Sequence, residues 1–131
     1  VRVNGETLVE EWTGDESMTN HYATAVVHDG VLYGYHGRQE YSPSLRAVDL
    51  HTGSVHWGED RFGAGSITVA GDRLVILRES GELVIAEASR ERFMPLARFQ
   101  ILSGTVRAYP ALARGRLFAR NGDTLVAVDL R

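Results

Sequence analysis

Residues 47–57, AVDLHTGSVHW, set an aspartate, a Thr-Gly turn and a tryptophan at fixed offsets in a chain with no cysteine. Each residue type suits a structural task. Ala47 is small enough for tight packing between layers, and Asp49 can accept from backbone donors of the turn that Thr52 and Gly53 form. The indole of Trp57 offers a large apolar face and one N–H donor, which suits it to span a joint between two packed elements. The alternative is that Trp57 stacks on a bound cofactor. The rest of the chain decides between them.

Working outward, three turns occupy equivalent places: HDGVL at 28–32, AGDRL at 70–74 and ARGRL at 113–117. Each supplies a glycine where a two-residue hairpin needs positive φ, and Asp29-Gly30 is the strongest such signal. The leucines that follow, Leu32, Leu74 and Leu117, lie 42 and 43 residues apart. Downstream, LRAVDL at 45–50, LVIAEA at 83–88 and LVAVDL at 125–130 align as well, the first offset by an inserted RQEYSP at 38–43. Helical signals are nearly absent, and Pro95 interrupts the one helix-friendly run, AEASRERFMPLARF.

A period of this length filled by short strands rich in β-branched and aromatic residues is the signature of propeller blades. The expected fold is all-β: about three blades of four antiparallel strands, an incomplete ring, with residues 1–131 forming a single partial propeller. The first blade, 20–60, has strands near 22–28, 31–36, 45–50 and 54–58. The second, 61–104, has them near 66–70, 73–79, 82–88 and 95–101. The third, 105–131, supplies 107–113, 116–120 and 124–130 and lacks its fourth strand. TLVEEWTG at 7–14 resembles GSVHWGED, with Trp12 in the place of Trp57. It reads as the outer strand of a blade shared with the C-terminal strands. Because propellers need about 4–8 blades to close, the expectation is a piece of a longer propeller or copies that assemble head to tail.

Within that repeat, AVDLHTGSVHW resembles the tryptophan-docking motif of pyrroloquinoline-quinone-type (quinoprotein-type) propeller repeats, whose pattern is Ala-x-Asp-x-x-Thr-Gly-x-x-x-Trp. Ala47, Asp49, Thr52, Gly53 and Trp57 fill all five positions, and Ala127 and Asp129 begin a second copy. The middle blade, with AEASRERF, lacks both the Thr-Gly turn and the tryptophan. The resemblance implies that the motif tryptophan ties blades together. It also implies a bacterial, periplasmic or cell-envelope setting, since relatives include an outer-membrane assembly lipoprotein and quinoprotein alcohol dehydrogenases. In the enzymes of that family, quinone and metal lie on the central axis, held by residues outside the motif.

Composition narrows the function classes. The 44% hydrophobic and 24% charged content is that of a globular protein, and no apolar run approaches a membrane span. The N-terminus lacks the layout of a signal peptide. A net charge of −3 argues against nucleic-acid binding. Charge is uneven: residues 1–60 carry three arginines against ten acids, and residues 90–131 carry eight against three. An acidic first blade could therefore face a basic last one.

No catalytic, cofactor or metal residue is expected on these blades. His28, His36, His51 and His56 surround the hairpins of one blade without the convergence a zinc site needs. Loops leading into the inner strands offer Asn20, His21, Tyr22, Ser66, Arg107 and Tyr109, none of them a carboxylate. His21, Tyr22, Arg107 and Tyr109 are the candidate axis-facing ligand contacts, against the plainer alternative of local capping or pairing between blades. The expected function is a non-catalytic propeller segment serving as scaffold or binding module. Its partners would be the remaining blades, another copy or other proteins. The alternative is part of a quinone-dependent alcohol or sugar dehydrogenase, with pyrroloquinoline quinone and calcium held by blades outside this chain.

Overall fold

The computed structural model describes all residues, 1–131. Apart from a 3-10 turn at Gln39–Tyr41, its regular structure is antiparallel sheet. A hairpin of β1 (Arg2–Asn4) and β2 (Thr7–Val9) comes first. Two four-stranded meanders follow: β3 (Val26–His28), β4 (Val31–His36), β5 (Ser44–Asp49) and β6 (Val55–Glu59), then β7 (Gly65–Ala70), β8 (Arg73–Arg78), β9 (Glu82–Glu87) and β10 (Met94–Gln100). The last sheet has three strands, β11 (Ala111–Ala113), β12 (Arg116–Arg120) and β13 (Leu125–Asp129). This is an incomplete propeller whose ring is open.

The repeat shows in the hydrogen bonds. The N–H groups of Leu50, Ala88 and Leu130 each donate across their sheet to the turn between first and second strands, at Gly30, Asp72 and Gly115, over 2.8–3.0 Å. The fourth strands of the first two sheets carry the same irregularity. Val48 pairs with Val55 and Ala47 with Trp57, skipping His56, while Ala86 pairs with Pro95 and Ile85 with Ala97, skipping Leu96. Trp57 and Ala97 therefore hold equivalent positions.

Period-two alternation places the core. The middle sheet is buried on both faces, as its apolar runs RLVILR and ELVIAE require. Leu74, Ile76, Val84 and Ala86 face the first sheet and meet Tyr33, Tyr35, Leu45 and Ala47. Val75, Leu77 and Leu83 face the third and meet Leu102, Val106, Leu117 and Ala119.

The structure departs from the sequence expectation at the inner strands and at the N-terminus. β3 and β11 are only three residues long. Pro110 has no N–H to donate to a ladder, and the Thr24 N–H is taken by the Tyr109 hydroxyl, so both strands start late. In the N-terminal stretch only Thr7–Val9 is a strand, and it pairs with β1 rather than β13. Residues 10–14 lie outside any ladder, and β13 is the edge of its sheet.

Candidate functional site

The motif residues of the first blade are engaged with one another and with the next sheet. The Asp49 carboxylate accepts from the N–H groups of His51 and Thr52, both at 2.9 Å, and from the Thr52 hydroxyl at 3.1 Å. Those backbone donors hold its pKa below the ordinary carboxylate value. Gly53 closes the turn with its N–H on the Asp49 carbonyl and takes a φ of +74°, which favours glycine. Ala47 is fully buried. Trp57 leaves its own sheet: its Nε1–H donates to the Ser89 carbonyl of the second blade at 2.7 Å, and its ring lies between Tyr33 and Phe93.

Trp12 makes the same kind of contact one blade earlier. Its Nε1–H donates to the Leu50 carbonyl at 2.8 Å. The ring lies against Gly53, where a Cβ would come within 2.8 Å of the indole. The third sheet carries Ala127 and Asp129, but Asp129 pairs with Arg131 at 2.7 Å and Ala127 is exposed.

A second constellation forms where the inner strands begin. Glu79, in the turn between β8 and β9, accepts from Gln39 Nε2 at 2.6 Å and from Arg107 Nε at 2.7 Å, and its backbone carbonyl accepts the Val106 N–H. Tyr22, about two-fifths exposed, stands in the field of Glu79, Arg107 and Tyr109. Partial burial, reinforced by the Glu79 charge, pushes its pKa up to about 12. Tyr109 is half exposed and accepts the Thr24 N–H at 2.7 Å, which ties the third blade to the first. His21 packs edge-on against Tyr22. Beneath them the buried Tyr35 hydroxyl has no hydrogen-bond partner, and burial raises its pKa.

The four candidate contacts therefore lie on one face. Arg107 pairs with Glu79, Tyr22 lies in the field of both and of Tyr109, and His21 packs on Tyr22 at the margin. The carboxylate is the residue that sequence reasoning missed. In a four-strand meander the turn between second and third strands lies at the same end as the start of the first. The sequence ESGE at 79–82 could have been counted with the inner-strand loops on that ground. Chemically, the face offers phenol hydroxyls, a guanidinium and a carboxylate already neutralised by its neighbours. No group of three or more His, Asp or Glu side chains converges as a metal site would require.

The fold and these contacts define a class: an open segment of a β-propeller. No family model matches the chain, and no curated protein matches it in sequence. Solved structures do match its fold. The quinohemoprotein alcohol dehydrogenase ADHIIG from Pseudomonas putida HK5 is 18% identical, with a TM-score of 0.64 over 82% of this chain and 19% of that one. BamB from Moraxella catarrhalis is 19% identical, with a TM-score of 0.56 over 82% of this chain and 33% of that one. The computationally designed Ika4 protein is 12% identical, with a TM-score of 0.64 over 90% of this chain and 74% of that one. The chain thus spans about a fifth of the dehydrogenase and a third of BamB.

Proposed function

We propose that the chain is a non-catalytic propeller segment that acts as a scaffold and presents the face of Tyr22, Arg107 and Tyr109 to a protein partner. The observation that carries this reading is the use made of the distinctive motif. Ala47, Asp49, Thr52, Gly53 and Trp57 serve as a tryptophan-docking motif, with every polar group spent on the turn or on the joint to the next blade. The face itself is rich in tyrosine and arginine, the side chains most enriched at protein interfaces. The blades continue into further blades or a second copy, which cover the two ends of the open ring. Resemblance to propellers of this type supports a bacterial periplasmic or cell-envelope setting. No helix is long and apolar enough to cross a membrane.

The likeness to the dehydrogenase favours the second reading, part of a quinone-dependent enzyme. The donor set does not fit a calcium–quinone centre on these blades, because Glu79 is engaged by Gln39 and Arg107 and no carboxylates converge. Titration with pyrroloquinoline quinone and calcium, followed by absorbance, tests the choice. The scaffold reading expects no saturable change. Saturable binding to this chain would overturn it.

A further inference from the structure

The inserted RQEYSP at 38–43 breaks the repeat in the first blade, and its contacts lead across all three sheets. It folds into the 3-10 turn Gln39–Tyr41, and the Pro43 carbonyl accepts the Gly63 N–H of the connection to the second blade at 3.0 Å. Gln39 reaches further, to the Glu79 carboxylate in the turn between β8 and β9. That carboxylate has no local task, because Arg78 pairs with Glu82 at 2.8 Å rather than with its neighbour Glu79. Its partners come instead from 40 residues before it and 28 residues after it, and Gln39 and Arg107 donate to the same atom, Oε1. The Glu79 backbone is pinned as well. Its N–H donates to the Ala64 carbonyl at 2.8 Å, and its carbonyl accepts the Val106 N–H at 2.9 Å.

From this geometry we propose that Glu79, itself held by Gln39, is the positioning residue of the docking face. It fixes Arg107 through Nε–H and leaves the terminal nitrogens of the guanidinium for a partner. This deepens the reading of that face as a protein-binding surface and rests on it. Arg107 Nη1 and Nη2 make no hydrogen bond in the chain, and the side chain is 66% exposed. An ion pair so exposed adds little stability, so its effect lies in placement. Fixing Nε in advance removes part of the ordering cost of arginine from the docking step. Tyr22 is set by the same residue. Burial first, and then the Glu79 charge, oppose ionisation of its phenol, so the hydroxyl stays a donor.

Hydrogen exchange at Arg107 Nε–H, followed by nitrogen-resolved NMR, reports the contact directly. The intact chain is compared with Glu79→Ala, Glu79→Gln and Gln39→Met. We expect exchange about tenfold faster in Glu79→Ala, the effect of losing one charge-assisted hydrogen bond. Glu79→Gln keeps an acceptor oxygen without the charge and is expected between the two; it carries the comparison if the alanine variant does not fold. Gln39 makes no hydrogen bond to Arg107, yet Gln39→Met should speed the exchange about twofold by freeing the Glu79 side chain. A second readout is one that a purely structural tie would not move. In Glu79→Gln the Tyr22 phenol, followed by tyrosine carbon NMR, should titrate below its native value of about 12. Unchanged Arg107 exchange in the Glu79 variants, or unchanged Tyr22 titration in Glu79→Gln, overturns the proposal and leaves the face itself standing. Unchanged exchange in Gln39→Met overturns the part given to Gln39. Saturable binding of pyrroloquinoline quinone with calcium by the unmodified chain overturns the docking reading but leaves Glu79 as the residue that places Arg107.

Discussion

The two joints of this chain are built from the same repeat and filled differently. Between the first and second blades, Trp57, Phe93, Phe62 and Tyr33 interlock, and the indole N–H reaches a backbone carbonyl of the next sheet. Between the second and third, the equivalent position is Ala97, and a groove of about 760 Å³ opens beside it. Val75, Ile85, Phe99, Leu112 and Leu130 line that groove, with Arg73 and Arg131 at its rim. At the position after the fourth-strand irregularity the first joint carries an indole and the second a methyl group. The lesson is that the repeat dictates strands and turns in every blade, whereas the packing between blades varies with the side chains set at equivalent positions.

The contrast can be broken from either side. The largest effect is expected for Trp57→Ala, which removes a packed indole and strands the Ser89 carbonyl. A loss of about 3 kcal/mol in urea unfolding is the outcome for a residue of this size. Trp12→Ala should cost less, about 2 kcal/mol, because its ring rests on Gly53 without an aromatic cluster around it. Ala97→Trp should do the reverse and stabilise the open joint by about 1 kcal/mol, raising the midpoint of thermal unfolding. A lower midpoint would show that the groove cannot accept an indole and that the two positions are not equivalent.

The smallest expected effect is on the turn and depends on pH. Asp49 has its pKa lowered in the folded chain, so its stabilising contribution is present above the ordinary carboxylate pKa of about 4. That contribution fades as pH falls through the lower folded value. The unmodified chain should therefore lose more stability than Asp49→Ala when pH drops below about 4. Parallel pH profiles for the two would remove Asp49 from the turn's stability.

How much of this was legible in the sequence differs by level. The second and third strands of each blade stood out because alternating apolar residues and turn glycines report purely local preferences, as at Asp29-Gly30. Ala47, Trp57 and the turn between them could be recognised as a unit for the same reason. The short inner strands β3 and β11 could not, because Tyr109 captures the Thr24 N–H from 85 residues away. Glu79 went unnoticed because its membership of the face depends on which end of the sheet its turn occupies. Residues 10–14 carry the pattern of a strand, but a strand forms only against a partner, and this chain supplies none beside them.

Tryptophan N–H groups dock the N-terminal segment on the first blade, through Trp12, and the first blade on the second, through Trp57. The chain has two tryptophans, so hydrogen exchange of its indole N–H protons followed by NMR tests this without substitution. Both protons should exchange far more slowly than a free indole, with Trp57 slower than Trp12. Exchange of both at the free-indole rate would contradict the account.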